Sequence, residues 1–142
     1  MEDIIQLAAF RVGDERYVID IMRIREIINP TKITAVPYAD GVIEGVVNLR
    51  SVIIPIVDLR KRLGLSPRAN TRQTKFIIAS VESRVYGFRV DEVLEVVRVP
   101  RSSIEPSPRL ESEEEPGLFL GVCRYEDQLL LLLNLKKVIR PR

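Results

Sequence analysis

The feature that most constrains the fold is the stretch of residues 41–65, GVIEGVVNLRSVIIPIVDLRKRLGL, which predicts strand, tight turn, strand and short helix. Arg50 and Ser51 fall where the turn must be, and the second strand is rich in β-branched side chains. Asp58 is in position to cap one helical turn and Gly64 to end it. Both faces of the second strand are apolar, so its second face must be covered by the domain or by a partner.

The N-terminal segment predicts a β-hairpin with a polar, glycine-containing turn. Leu7 and Ala9 are expected to share one half-buried face with Tyr17 and Ile19 across the turn. Residues 22–28 fit either a helical turn or a bulge followed by another strand. Periodicity alone does not separate these two interpretations.

The two halves of the chain match each other. Their first parts align at a constant offset of 69 and their last parts at an offset of 76: residues 7–12 with 76–81, residues 17–28 with 86–97, and Gly45 and Asp58 with Gly121 and Asn134. The offset changes only in loops, as is typical of a duplicated β unit. Each unit predicts about five short strands and a capped helical turn, the size of a small barrel.

The sequence therefore predicts an all-β fold of two similar barrels side by side, with short helical turns. A chain of 142 residues can bury one core, or two small barrels that share an interface. The polar residues 66–74 are interpreted as the connector between the halves. The acidic stretch of residues 111–115 is interpreted as a solvated, mobile loop, with no metal site.

The composition argues against catalysis. The chain has no histidine, which removes the commonest general base and most zinc sites. Its single cysteine, Cys123, cannot form an internal disulfide, and this agrees with a reducing compartment. No apolar run approaches the roughly 20 residues that span a bilayer, and the N-terminus lacks a signal-peptide pattern, so the cytoplasm is expected. The glycines show no phosphate-loop pattern, and we expect no cofactor.

Two groups of residues are candidates for contacts with a partner. Arg50 at the hairpin tip is most often a solvated turn residue in such a position, but its planar fork also suits an anchor for a partner. Ile24 and Glu26 are candidates if their segment forms a sheet edge, where free backbone groups can dock another barrel. Asp20 and Asp91 are interpreted as turn caps rather than as acids or bases.

A single-stranded nucleic-acid-binding barrel is the alternative function. It is suggested by the predicted barrels and by a sequence pI near 8.8. The formal net charge of +2 is a weak argument for it. The aromatic residues are few and do not alternate with Lys or Arg along a strand, so a protein partner is favoured.

Four segments resemble the CheW-like adaptor domain of bacterial and archaeal chemotaxis, and the resemblance covers residues 10–139. They are FRVGDERYVIDIMRIREII (residues 10–28), GVVNLRSVIIPIVDLR (residues 45–60), YGFRVDEVLEVV (residues 86–97) and LLLLLNLKKVI (residues 129–139). The family usually has glycine where this chain has Ser51, and an apolar residue where it has Arg89.

The resemblance implies a cytoplasmic scaffold without chemistry of its own, recruited to receptor arrays at the inner membrane without inserting into it. It implies two five-stranded barrels of OB or SH3 type, with residues 14–74 in the first, residues 75–142 in the second and residues 1–13 exchanged into the second. The implied partners are the cytoplasmic tips of chemoreceptors and the regulatory domain of the histidine kinase CheA, and no nucleic acid.

The resemblance also implies roles for particular residues. Ile24 and Glu26 match the surface that meets the kinase domain. Arg50 matches an arginine linked to receptor coupling, and Lys75 and Phe76 lie near the receptor-facing side.

Overall fold

The structure is a computed structural model that describes residues 3–37, 41–106 and 117–140, so the acidic stretch of residues 111–115 lies outside the described residues. The strands are β1 (Ile4–Val12), β2 (Glu15–Asp20), β3 (Ile24–Ile28), β4 (Ile43–Leu49), β5 (Val52–Asp58), β6 (Lys75–Val81), β7 (Arg84–Val90), β8 (Glu92–Pro100), β9 (Ile104–Glu105), β10 (Phe119–Tyr125) and β11 (Gln128–Leu133). The helices are α1 (Leu59–Arg62) and α2 (Leu135–Ile139), with 3-10 turns at Ile21–Arg23 and Arg101–Ser103. The predicted all-β class with short helical turns is confirmed.

The strands form two sheets, and each sheet combines strands from both halves of the chain. The six-stranded sheet has the order β8-β1-β2-β11-β10-β9, and the five-stranded sheet has the order β3-β6-β7-β5-β4. Hairpin β1–β2 therefore lies with the strands of the second half, and hairpin β6–β7 lies with the strands of the first half. Parallel pairings of β2 with β11 and of β5 with β7 join each hairpin to its host sheet.

The strand exchange is confirmed, and it is larger than the sequence predicted. The resemblance implied that residues 1–13 cross over between segments 14–74 and 75–142. In the structure a whole hairpin crosses in each direction, because residues 4–20 pair with the second half and residues 75–90 pair with the first. The two hydrogen-bonded sheets therefore do not coincide with residues 14–74 and 75–142. That these two segments are the subdomains stays a prediction.

The duplication is confirmed at two glycines that occupy equivalent bulges. Gly45 follows a register shift in β4, and Gly121 follows one in β10. A Cβ atom on Gly45 would lie 2.4 Å from the carbonyl oxygen of Thr34, and one on Gly121 would lie 2.9 Å from that of Glu105. Neither position accepts a side chain, because each lets an extended segment approach the strand closely.

Three apolar clusters form the core. Each sheet surrounds a cluster of its own, and the third lies between the sheets. The cluster of the five-stranded sheet comprises Val47, Ile54, Ile56, Phe76 and Ile78. Through the repeat, their counterparts in the six-stranded sheet are Cys123, Leu130, Leu132, Leu7 and Ala9. The central cluster takes buried residues from both sheets and both helices, including Phe10, Phe88, Leu59 and Val138.

Strand β1 is buried on both faces, so the predicted half-buried hairpin is wrong in its pairing. Tyr17 and Ile19 lie opposite Phe10 and Ala8, not beside Leu7 and Ala9: the register pairs are Phe10 with Tyr17, Ala8 with Ile19 and Ala9 with Val18. The even-numbered face of β1 joins the central cluster, and the odd-numbered face joins that of the six-stranded sheet. Both faces are buried because an apolar cluster packs against each of them.

A buried ion pair connects the halves. Asp91 and Arg60 are 5% and 6% exposed, and Arg60 Nη1 donates to Asp91 Oδ2 at 2.6 Å. The same carboxylate oxygen accepts the backbone amide of Gly13 at 2.7 Å. Asp91 therefore caps the β1–β2 turn, which is distant in sequence, and also neutralises Arg60. Asp20 caps a local turn, because its carboxylate accepts the amide of Met22 at 2.9 Å.

The surroundings of Asp91 favour its charged form. Burial by itself would raise the pKa of Asp91, but hydrogen bonds from the Gly13 amide and Arg60, together with the charges of Arg60 and Arg11, lower the pKa below its ordinary value. An unfolded chain therefore takes up this proton at a higher pH than the folded chain does. The contribution of Asp91 to stability is complete above the ordinary carboxyl pKa and is lost as the pH falls through the folded pKa.

We predict that Asp91→Asn lowers the free energy of unfolding by about 3 kcal/mol at pH 7, because it leaves the charge of Arg60 buried without a counter-ion. Urea unfolding followed by circular dichroism measures this loss. The difference between the two proteins should become smaller below about pH 4, since the unfolded parent chain then gains a proton that the variant cannot bind.

Glu92→Gln is the matched control. Glu92 neighbours Asp91 and pairs with Arg11 at 3.2 Å, but its side chain is 37% exposed. A solvated pair of this kind is worth roughly 0–1 kcal/mol. Equal losses in the two variants would contradict a special role for the buried pair.

Candidate functional site

The predicted sequence of strand, turn, strand and helix is confirmed in β4, β5 and α1. Arg50 and Ser51 form the two-residue turn, with φ angles of 50° and 71°. Such a turn matches the twist of the paired strands, and the Asn48 side chain supports it by accepting the Ser51 amide at 2.9 Å. Asp58 caps α1 by accepting the amide of Arg60 at 2.9 Å. The turn holds the Arg50 side chain 69% exposed.

Arg50 and Glu26, which the sequence assigned to different partners, form an ion pair in which Arg50 Nη2 donates to Glu26 Oε2. Glu26 lies on β3, at one edge of the five-stranded sheet, and Arg50 follows β4 at the other edge. The contact between them shows that the sheet curves until its two edges approach each other. The curvature places a positive and a negative side chain together at one end of the sheet.

This ion pair is exposed enough for a partner to exchange with it. The side chains of Arg50 and Glu26 are 69% and 35% exposed. Water screens such a pair, and its contribution to stability is roughly 0–1 kcal/mol. A partner that offers a carboxylate to Arg50, or a cation to Glu26, therefore replaces a weak internal contact.

Apolar side chains flank the ion pair. Val52 and Ile53 are 56% and 60% exposed, so both apolar faces of β5 are uncovered near the turn, the first at Val52 and the second at Ile53. A cavity of about 330 Å³ opens there, lined by Arg25, Glu26, Leu49, Arg50, Val52 and Ile54, among others. We call Glu26, Arg50, Val52 and Ile53 the hairpin surface. An apolar patch with charged groups at its centre is a usual composition for a protein interface.

The other predicted site residues lie in different environments. Ile24 is half-buried on β3 and packs against the central cluster. Lys75 is half-buried at the start of β6, and its Nζ donates to the carbonyl oxygen of Arg72 at 2.9 Å. Phe76 is 1% exposed and belongs to the core of the five-stranded sheet. Phe76 therefore offers almost no side-chain surface in the free protein, and its place near the receptor-facing side stays a prediction.

Sequence analysis missed the partner of Arg50 because Glu26 lies 24 residues earlier in the chain. A signal was available in the duplication. If the first unit closes into a barrel, its β3 edge must approach the β4–β5 hairpin, and both oppositely charged residues were already candidates. The buried network around Asp91 had no comparable signal, because it depends on a hairpin that has crossed from the other half.

The described residues offer little to a chemical reaction. None of them forms a group of three or more metal-ligating side chains. Cys123 is buried. In the ranges that the structure covers, every aromatic side chain is buried or half-buried, so no exposed ring is available for stacking on a base. No helix in these ranges is long and apolar enough to cross a membrane.

Comparison with known proteins agrees with this geometry. The family model described as the CheW-like domain matches residues 6–141. The chain belongs to the CheW-like family. The chemotaxis protein CheW of Rhizobium meliloti is 38% identical over 133 residues, which cover 94% of this chain and 86% of the relative. The chemotaxis protein CheW of Helicobacter pylori is 30% identical, covering 98% and 84%.

A solved CheW-like structure has the same architecture. The crystal structure of the scaffolding protein TtCheW from Thermoanaerobacter tengcongensis aligns with a TM-score of 0.85 at 30% identity. The alignment covers 97% of this chain and 88% of that one. The two sheets and their strand exchange therefore belong to a known CheW-like fold.

We predict that the ion pair of Arg50 and Glu26 adds little to stability. A double-mutant cycle with Arg50→Ala, Glu26→Ala and both together, measured by urea unfolding, should give a coupling energy below about 1 kcal/mol. A coupling of about 3 kcal/mol or more would identify the pair as part of the structural framework rather than as groups available to a partner.

Proposed function

We propose that this chain is a non-enzymatic adaptor that couples chemoreceptors to the regulatory domain of the histidine kinase CheA. The hairpin surface is the observation that supports the proposal. It combines an exchangeable ion pair with exposed Val52 and Ile53 on a sheet whose curvature is fixed by its core. Membership of the CheW-like family supports it as well.

The proposed kinase contact includes Glu26 and Ile24. Strand β3 is an edge strand, so its outer backbone groups can pair with an added strand. Glu26 would fix the register of that contact by accepting from a cationic side chain of the kinase domain. A specific contact of this type buries about 800 Å² on each partner.

The proposed receptor contact includes Arg50. Lys75 is proposed to contribute to the same contact. The guanidinium of Arg50 can bind a carboxylate of a receptor through two parallel hydrogen bonds. Because Arg50 and Glu26 hold each other in the free protein, a partner that takes one of them releases the other. This gives a physical route by which receptor binding influences kinase binding.

The proposed location follows from the partners, since receptor tips would recruit the adaptor to receptor arrays at the inner membrane. No observation favours the alternative of a single-stranded nucleic-acid-binding barrel. The described aromatic side chains are at most half-exposed and do not form a stacking platform.

We predict that Glu26→Lys weakens binding to the regulatory domain of a CheA kinase at least about tenfold, because it reverses the charge of a central contact group. Isothermal titration calorimetry measures the dissociation constant, and the thermal transition of the variant verifies that it is folded. An unchanged dissociation constant in a folded variant would contradict this surface.

Glu95→Lys is the matched control. Glu95 corresponds to Glu26 through the repeat, lies in β8 and has a 56% exposed side chain that pairs with Arg16 at 3.7 Å. The same charge reversal there should leave kinase binding within about twofold, because rim and distant charges contribute little. Equal weakening by both variants would indicate a general effect of charge.

We predict that Arg50→Ala retains kinase binding but uncouples the kinase from receptors. Glu26 remains in place in this variant, whereas the group that recognises the receptor carboxylate is lost. A reconstituted assay with receptor fragments measures control of kinase activity. Normal receptor control would overturn the role of Arg50.

Glu126→Ala is the control for this experiment. Glu126 lies at the equivalent turn of the β10–β11 hairpin, and its φ of 48° is close to that of Arg50. Both substitutions therefore place alanine in the same left-handed conformation, with the same backbone strain. Loss of receptor control only in Arg50→Ala separates the guanidinium from the turn.

A further inference from the structure

In the first half of the chain, the connector after α1 occupies a groove beside β7. Arg60 Nε donates to the carbonyl oxygen of Ser66 at 2.8 Å. Arg89 Nη2 donates to the carbonyl oxygen of Arg68 at 2.7 Å and to the Asn70 side chain at 2.8 Å. The side chain of Leu65 precedes these contacts and packs against the backbone of Gly13. We call this the connector groove.

The internal repeat places an equivalent groove in the second half. The parallel pair Leu132 and Val18 corresponds to Ile56 and Gly87, which precede Asp58 and Arg89 by two residues on the parallel strands β5 and β7. The side chains that bond the connector have counterparts at this second position, since Arg60 corresponds to Lys136 and Arg89 to Asp20. Two nearby residues correspond as well, Asp58 to Asn134 and Val12 to Val81. The two grooves therefore have the same backbone geometry and different side chains.

The second groove is a cavity of about 240 Å³. Its apolar lining includes Ile5, Ile19, Val81, Leu120 and Leu132, and Leu120 is 57% exposed. Val81 corresponds to Val12, which precedes Gly13, the residue that Leu65 packs against in the connector groove. The volume accommodates one or two side chains rather than a drug-sized ligand. We call this cavity the open groove.

The polar lining of the open groove is mostly cationic. It includes Arg23, Arg101 and Lys136 against the single carboxylate of Asp20. Arg101 pairs with Asp3 at 2.8 Å, and Lys136 lies 3.8 Å from Glu82. Arg23 is exposed and forms no ion pair with a described residue. The charges therefore favour an occupant that carries a carboxylate.

We propose that the open groove binds an extended segment of a partner protein in which an apolar side chain is followed by a carboxylate. The connector groove shows how an extended segment binds to this backbone geometry. The apolar side chain of Leu65 comes first, and the carbonyl groups that follow it accept hydrogen bonds from Arg60 and Arg89. The cations Arg23, Arg101 and Lys136 of the lining favour a different, acidic sequence. This site is separate from the hairpin surface and does not depend on the role proposed for it.

The test uses the full chain labelled with nitrogen-15 and the synthetic peptide acetyl-LSPEAN-amide. This peptide is the connector sequence of residues 65–70 with glutamate in place of Arg68. We expect saturable shifts of the backbone amides of Val81, Leu120 and Lys136. The peptide acetyl-LSPRAN-amide should bind at least about fivefold more weakly, because its arginine faces the cationic lining.

Lys136→Glu should weaken binding of the acidic peptide at least about fivefold by removing one of these cations. Arg124→Glu is the matched control, since Arg124 is exposed on β10 and does not line the groove. It should change the affinity less than about twofold. Both variants should keep the native thermal transition, because both side chains are exposed.

The proposal is overturned if saturable shifts are absent at the groove residues, or if they map to another surface. It is also overturned if the glutamate and arginine peptides bind equally well, or if Lys136→Glu and Arg124→Glu have the same effect. If Glu26→Lys loses kinase binding but still binds the acidic peptide, the open groove acts independently of the hairpin surface.

Discussion

The reciprocal exchange of two hairpins is the constraint on which the rest of the structure depends. Neither half can complete its sheet from its own strands, because β2 pairs with β11 and β7 pairs with β5. The central cluster then fills the space where the two sheets meet. The ion pair of Asp91 and Arg60 lies at this crossing, so a polar contact fixes a junction that apolar packing alone would leave free to shift.

The exchange also determines where surface remains for partners. Strand β1 has a neighbouring strand on each edge and an apolar cluster on each face, so it cannot pair with an added strand. Strands β3 and β4 stay at the edges of the five-stranded sheet, and its curvature brings Glu26 to Arg50. The exposed Val52 lines the same cavity as these two residues, and the exposed Ile53 is the next residue of β5. The duplicated scaffold thus leaves an exposed ion pair and exposed apolar side chains close together at the β4–β5 hairpin.

Local features of the fold were predictable from the sequence, and contacts across the exchange were not. The cap at Asp58 and the turn at Arg50 depend on residues within a few positions of each other. Contacts between Asp91 and Gly13, or Glu26 and Arg50, depend on which hairpin enters which sheet. The burial of Phe76 was not predictable either, since Phe76 pairs opposite Ile28 only because hairpin β6–β7 enters the sheet of the first half.

The two halves share the same backbone fold but carry different charges at equivalent positions of the repeat. The β4–β5 turn presents Arg50, and the equivalent β10–β11 turn presents Glu126 in nearly the same conformation. Arg89 holds the connector in one groove, whereas Asp20 lines the open groove in the other. Duplication supplies two similar surfaces, and the changed charges prevent both from selecting the same partner. In the proposed adaptor, two such surfaces on one small chain would contact different proteins at once, and the shared core would fix the distance between them.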